Sequence, residues 1–381
     1  MSDRYLRNNM IDWFDQSQIQ NLKAIVIGAG AIGNEVIKNL ALMGVGCIDI
    51  YDFDTIEIHN LTKSVLFRED DIGHCKVDAA AKRAKELDPN IDVHAYHGDI
   101  FKLLNISAVL KADIVFCCLD NFEARLRVNE ICLITKKPMV NMGIDSRYAS
   151  VEIFPYTATS EHDLVCYECN LPISAYEGIS KRYSCGHLRR ISFIEKKIPT
   201  TIMTSSAAAS IGVSLGLQKA SGKSDLEILP KKMLIDTRTG LSSLNFLSHS
   251  KECPCCTKLG VATYLIKTSK DDVANSNFLK NMKTENITVR FPDTLVTNIS
   301  CKNCFFEGIN FEISNSRDYT DEIFICPKCN QNSVHVDIKD QLTINEFFAL
   351  KLNKSVFNLV PYFFVINKGS VFCFYEEKLN G

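Results

Sequence analysis

The sequence has little net charge, no long apolar run, no internal repeat and no low-complexity tract. Each absence excludes something. A formal charge of -2 over 381 residues leaves no electrostatic footprint for a nucleic-acid partner. The opening residues, MSDRYLRNNM, are polar and lack the apolar core of a secretory signal. The most apolar helical run, 202–217, is only ~16 residues long and carries several serines, so it predicts a core helix and not a membrane span. A secreted disulfide scaffold is excluded by arrangement. Of 16 cysteines, eight fall into C-x-x-C pairs, which points to metal in a reducing, cytoplasmic compartment.

What is present is an ordinary globular composition, 46% hydrophobic and 23% charged, in a chain long enough for two or three domains. The stretch KAIVIGAGAIGNE sets a strand-like run before Gly28-x-Gly30-x-x-Gly33. That spacing suits a tight turn, a close approach of backbone to phosphate, and a helix N-terminus aimed at the anion. A helix face follows and stops near Gly44, and CIDIYDFD reads as a second strand. KVDAAAKRAKELDP is a helix, IDVHAY a third strand, and ADIVFCCLD a fourth, apolar enough for a buried parallel strand. NFEARLRVNEICLITKK is a helix and PMVNMGID a fifth strand. This alternation predicts an α/β fold, a doubly wound Rossmann-like sheet. From about Ala149 the pattern changes toward antiparallel strands, with a break near residue 260. The division expected is 1–260 for the nucleotide-binding domain and 261–381 for a C-terminal α+β module.

Asp52 ends the second strand and Asp54 follows. An acid at that place can hold ribose hydroxyls of NAD or ATP alike. The downstream residues discriminate. Asn60, Lys63, Arg68 and Lys76 are more cations and amides than a nicotinamide pocket needs, and they suit a leaving pyrophosphate. Asp120 and Asn121 sit where the fourth strand meets the next helix. A carboxylate beside phosphates calls for Mg²⁺ between them, and Asp120 could also cap that helix.

These segments, from RYLRN through GAGAIGNEVIKNLALMGVG, DFDTIEIHNL, LFREDDIGHCK and CLDNFEARLRVN to two C-x-x-C pairs, resemble in order the ThiF/MoeB and ubiquitin-activating superfamily. The resemblance covers roughly residues 4–256, and some segments are similar to bacterial members found beside ubiquitin-like conjugation genes, including those of antiviral defence. It implies an adenylyltransferase acting on the C-terminal glycine of a small ubiquitin-like, β-grasp protein. Asp52 would hold the ATP ribose, Asn60, Lys63 and Lys76 the phosphates, and Asp120 the Mg²⁺. Arg7 would reach the phosphates of a neighbouring subunit, making a homodimer. One departure is Lys63, where the family has arginine: the charge is kept, the bidentate geometry is lost, and Arg68 could share the task.

The resemblance also joins Cys166-x-x-Cys169 and Cys253-x-x-Cys256 into one structural zinc site, although CPCC leaves Cys255 competing for the register. Cys301-x-x-Cys304 and Cys326-x-x-Cys329 have zinc-ribbon spacing by themselves and predict a second zinc. The aromatic tail beyond suggests a ubiquitin-fold-like module. Cys185 stands among Lys181, Arg182, His187, Arg189 and Arg190, cations that favour a thiolate. The resemblance implies that it can take the acyl group as a thioester for a conjugating enzyme. The alternatives are a sulfur-carrier or peptide adenylating enzyme that needs no Cys185, and a zinc-ribbon binding module on an inactive nucleotide scaffold.

Overall fold

The computed structural model describes residues 4–11, 15–157, 164–172, 199–222, 228–259, 263–275, 279, 287–305, 313–318, 326, 328–331 and 334–377. The chain divides into two compact units, Met1–Asn170 with Ile198–Val261, and Ala262–Gly381 with Leu171–Lys197.

The first unit is built on an eight-stranded sheet. Its strands are β1 (Lys23–Ile27), β2 (Cys47–Asp52), β3 (Asp92–His97), β4 (Ile114–Cys117), β5 (Met139–Ile144), β6 (Tyr148–Phe154), β7 (Lys231–Asp236) and β8 (Ser242–Phe246). They lie in the order β3-β2-β1-β4-β5-β6-β7-β8. The first five pair in parallel and the last three add antiparallel. The winding reverses between β1 and β4, and a doubly wound sheet opens its ligand crevice at the carboxyl ends of the strands at such a reversal. The fold is therefore the α/β, Rossmann-like sheet that the alternation of elements predicts.

Helices α1 (Ala31–Leu42), α2 (Lys76–Leu87) and α4 (Ile202–Ser221) share a core with the sheet, with Val36, Leu40, Val77, Ala80, Val213 and Leu217 packed against Val26, Ile50 and Phe116. The small residues of α4 let it lie close on the strands. A Cβ added at Gly212 would come within 2.5 Å of Met142 Sδ, and one at Gly216 within 2.8 Å of the Phe116 ring. Among the described residues no helix is long and apolar enough to cross a membrane. Helix α3 (Phe122–Thr135) buries Val128, Ile131 and Cys132. The segment ADIVFCCLD pairs over only four residues, Ile114–Cys117. At Cys118 the chain leaves the ladder, its N–H on the Ile27 carbonyl at 2.8 Å and its own carbonyl against Gly28.

The second unit holds β9 (Thr263–Thr268), β10 (Thr288–Cys301), β11 (Ser314–Asn315), β12 (Val334–Thr343), α5 (Ile344–Ala349), β13 (Tyr362–Asn367) and β14 (Ser370–Glu376). The sheet order is β11-β10-β13-β14-β9, with β12 also on β10, and only β9–β14 is parallel. The aromatic tail is its core: Phe363 stacks on Phe374 at 5.1 Å, with Phe291, Phe347 and Phe357 around them. The ribbon cysteines sit where β10 and β12 run out, Cys301 facing Val334 in register. A long two-stranded extension is weak in water, and a metal clasp at its tip would close it.

Candidate active site

Strand β1 delivers the chain into Gly28, whose φ of +95° needs glycine. The three glycines of the loop do different work. A Cβ at Gly28 would meet the Cys118 carbonyl oxygen at 2.7 Å, and one at Gly33 the Gly28 oxygen at 1.8 Å. A Cβ at Gly30 would meet nothing within 4 Å. The outer two glycines are required by packing, and the middle one faces open space where a phosphate can approach the backbone. Helix α1 starts on Gly30 with no capping side chain, so its first N–H groups are left for an anion. Gly30→Val is therefore expected to keep the fold but lower ATP affinity at least about tenfold. Gly33→Ala is expected to cost about 1–3 kcal/mol of stability. Nucleotide titration and denaturant unfolding of both variants check this contrast.

Asp52, at the end of β2, is 9% exposed. Its carboxylate accepts from Ala29 N–H at 2.6 Å and Asp54 N–H at 2.8 Å. Burial raises its pKa against the lowering effect of these bonds and of Lys76. Asp52 thus braces the glycine loop from below. Lys76, the first residue of α2, is 8% exposed and places Nζ 2.7 Å from Asp54. Its N–H also donates to the Asp54 carbonyl at 3.0 Å. The glycine loop, Asp52, Asp54 and Lys76 form one connected group.

The other residues lie as follows. Asn60 is buried, and its amide oxygen accepts from Glu57 N–H at 2.9 Å, closing the turn before Lys63. Lys63 Nζ donates to the Thr200 hydroxyl at 3.1 Å, just before the N-cap of α4. Arg68 is exposed and spends its guanidinium on its own turn, donating to the carbonyls of Val65 at 2.8 Å and Phe67 at 2.9 Å. Asn121, not Asp120, caps α3, its side chain accepting from Ala124 N–H at 2.8 Å. Asp120 is exposed and makes no hydrogen bond or ion pair among the described residues, so its carboxylate is not consumed by the helix. Arg7 is exposed beside a short turn, Asn8–Met10. Cys185, Lys181, Arg182, His187, Arg189 and Arg190 lie outside the described residues.

Two positioning residues carry no motif in the sequence. Asn34 is fully buried and donates to the carbonyls of Ala29 at 2.7 Å and Gly30 at 3.1 Å, while accepting from Leu66 N–H at 3.0 Å. It ties the glycine loop to the segment that bears Lys63 and Arg68. Asn129 on α3 is also fully buried, accepting from the Tyr156 hydroxyl at 2.7 Å and Tyr167 N–H at 2.9 Å. In the sequence each is an ordinary amide within a helix, and only burial sets it apart.

The sulfurs of Cys166, Cys169, Cys253 and Cys256 converge: Cys166–Cys253 is 3.6 Å, Cys169–Cys256 3.7 Å and Cys166–Cys169 3.9 Å. Tetrahedral zinc–thiolate geometry has sulfur–sulfur edges of about 3.8 Å, so the set can hold zinc with no open position. Hydrogen bonds from Cys166, Cys253 and Cys256 draw Cys169 down, while Cys256 is pushed up by its bonds to Cys166 and Cys169. The four sulfurs at this spacing would all be thiolates only with a cation among them to carry their charge. Cys255 is not one of the convergent four: its sulfur lies beside Cys166 alone and accepts from the Asn129 amide at 3.4 Å, which assigns the register of CPCC. In the second unit Cys301–Cys329 and Cys304–Cys326 are each 3.6 Å apart, and these four can also hold zinc.

The ThiF family profile matches residues 3–290. SUMO-activating enzyme subunit 2 of Dictyostelium discoideum is 37% identical over 173 residues, 44% of this chain and 25% of that protein. The sulfur carrier protein adenylyltransferase of Thermus thermophilus is 27% identical over 220 residues, 57% of this chain and 79% of that protein. Among solved structures, E. coli MccB with ATP superposes with a TM-score of 0.53 at 25% identity, covering 67% of this chain and 75% of that one. MccB with AMPCPP and MccA gives 0.54 at 26%, covering 67% and 74%. The chain spans about a quarter of the length of the SUMO-activating subunit that it matches.

Proposed function

We propose that this chain, which belongs to the ThiF family, uses ATP to adenylate the C-terminal carboxylate of a small ubiquitin-like protein ending in glycine. The carrying observation is the open backbone at Gly30, bordered by Asp52 and by the Lys76–Asp54 pair at the carboxyl ends of the parallel strands. Asp52 orients the ribose while it braces the loop. A carboxylate oxygen of the protein substrate attacks the α-phosphorus. An oxygen–phosphorus bond forms as the bond to the bridging oxygen breaks, and pyrophosphate leaves with the displaced electron pair. Lys76 and Lys63 stabilise the charge that develops, Asn60 holds the loop that carries Lys63, and Arg7 of a second copy in a homodimer completes the cationic shell. Asp120 would hold Mg²⁺, which would supply positive charge against the phosphates. Arg68, committed to its own turn, takes a structural share.

In the second step Cys185 attacks the acyl carbon as thiolate, a thioester forms and AMP leaves, after which a conjugating enzyme accepts the acyl group. A substrate-dependent ATP–pyrophosphate exchange assay tests the first step. Asp120→Ala is expected to reduce exchange at least about tenfold, and unchanged exchange would remove the metal role. Cys185→Ala is expected to keep exchange and lose a reductant-sensitive adduct. An adduct that survives this substitution would exclude Cys185 as nucleophile. The similarity to the sulfur carrier protein adenylyltransferase, most of whose length this chain spans, favours a second reading: adenylation of a sulfur-carrier protein or a peptide without a thioester. Exchange in the wild type with no adduct would select it.

A further inference from the structure

The face of the sheet at the start of β2 carries a cluster that the nucleotide site does not use. Cys47 and Asp49 alternate on one face of β2, and His94 is the register partner of Asp49 on the edge strand β3. His94 Nδ1 lies 2.8 Å from Asp49 Oδ1 and 3.7 Å from Cys47 Sγ. Cys47 Sγ lies 3.7 Å from the same carboxylate oxygen. Asp49 is 1% exposed, and its other oxygen accepts from Lys23 Nζ at 2.7 Å.

Cysteine, histidine and aspartate together suggest either a nucleophile with its base or a metal centre. In a catalytic triad the two ring nitrogens face different partners, one the acid and the other the nucleophile. Here the thiol and the carboxylate both approach Nδ1. Three donors of different type that converge on one point, with no relay between them, describe a coordination site. For tetrahedral zinc with bonds of about 2.0–2.3 Å, the sulfur edges would be about 3.6 Å and the nitrogen–oxygen edge about 3.3 Å. The first two are already present, and the third requires the imidazole of an edge strand, half exposed, to move by about half an ångström. Lys23 would hold the second carboxylate oxygen, the outer-shell support that ligating carboxylates commonly have.

We propose that Cys47 Sγ, Asp49 Oδ1 and His94 Nδ1 form a third metal site that binds Zn²⁺, separate from the two four-cysteine sets. Zn²⁺ displaces the thiol proton of Cys47 to solvent and the imidazole binds neutral. With three protein ligands, water fills the fourth position, so this ion exchanges more readily than a closed four-thiolate ion. It would clasp edge strand β3 to β2.

The test uses the full chain with its cysteine sets zinc-loaded, dialysed against buffer with micromolar free Zn²⁺ and then analysed for metal. Wild type is expected to hold one more ion per chain than Cys47→Ser and than His94→Gln, the latter a surface substitution that the fold tolerates. Equal metal content in all three overturns the site. Co²⁺ added to protein whose two four-cysteine sets hold zinc, but which has been dialysed free of unbound and exchangeable Zn²⁺, gives a second measurement that does not depend on stoichiometry. A thiolate-to-cobalt charge-transfer band is expected in wild type and absent in Cys47→Ser, and a band that persists in that variant overturns the site as well.

Discussion

Lys76→Met is expected to lower substrate-dependent ATP–pyrophosphate exchange by about 10²–10³-fold, the cost of removing one donor from a developing oxyanion. Methionine keeps the apolar stem at the start of α2 and removes only the ammonium. The loss should appear in kcat as well as in the KM for ATP, because the charge on the phosphoryl oxygens grows as pyrophosphate departs. Stability should hardly change. Asp54, left without its partner, has about half of its side chain in water, where an exposed ion pair contributes about 0–1 kcal/mol. An exchange rate within about threefold of wild type would place Lys76 outside the phosphate site and reduce it to a helix-start residue paired with Asp54. Lys63→Met offers a comparison. Its ammonium rests on a hydroxyl and not on a carboxylate, so a phosphate draws it away at lower electrostatic cost.

Cys166→Ser is expected to remove the metal of this four-cysteine set, whatever the Cys47 site holds, and destabilise the first unit by more than about 4 kcal/mol, because folding and metal binding share one free energy. The site joins the segment after β6 to the segment after β8, and both close onto α3 through Asn129. Without the cation, three buried or half-buried thiols remain clustered with no charge to hold them. Cys255→Ser is the control. It lies in the same CPCC stretch and is as buried as Cys256, but its sulfur accepts from Asn129, a bond that a hydroxyl can replace. It should retain the metal and lose about 1 kcal/mol or less. Metal analysis combined with denaturant unfolding separates the two variants. Loss of metal from Cys255→Ser at the level of Cys166→Ser would mean that the register seen here is wrong.

The glycine spacing, the acid at the end of β2 and the paired cysteines are local patterns, and a strand–turn–helix or a knuckle forces their geometry within a few residues. Strands β1, β2, β4 and β5 could be read because their apolar runs have few other places to go, whereas β3 lies exposed at the sheet edge. The extent of β4 could not be read, because Cys117 and Cys118 are alike in chemistry and only the return of the chain against Gly28 ends the ladder. Nor could the choice between Asp120 and Asn121 as helix cap, since both residues suit the position and backbone direction selects one.

What the sequence by itself determined is the set of chemical parts: a phosphate loop, an acid, cations beyond what a dinucleotide needs, and two quartets of thiols. Their spacing is short, and short spacing is geometry. What only the tertiary structure decided is which distant parts meet. Asn34 reaches Leu66, Lys63 reaches Thr200, Cys253 and Cys256 converge with Cys166 and Cys169 while Cys255 accepts from Asn129, and His94 falls opposite Asp49. Those meetings depend on strand order and register, which the packing of the whole sheet sets and no local stretch contains.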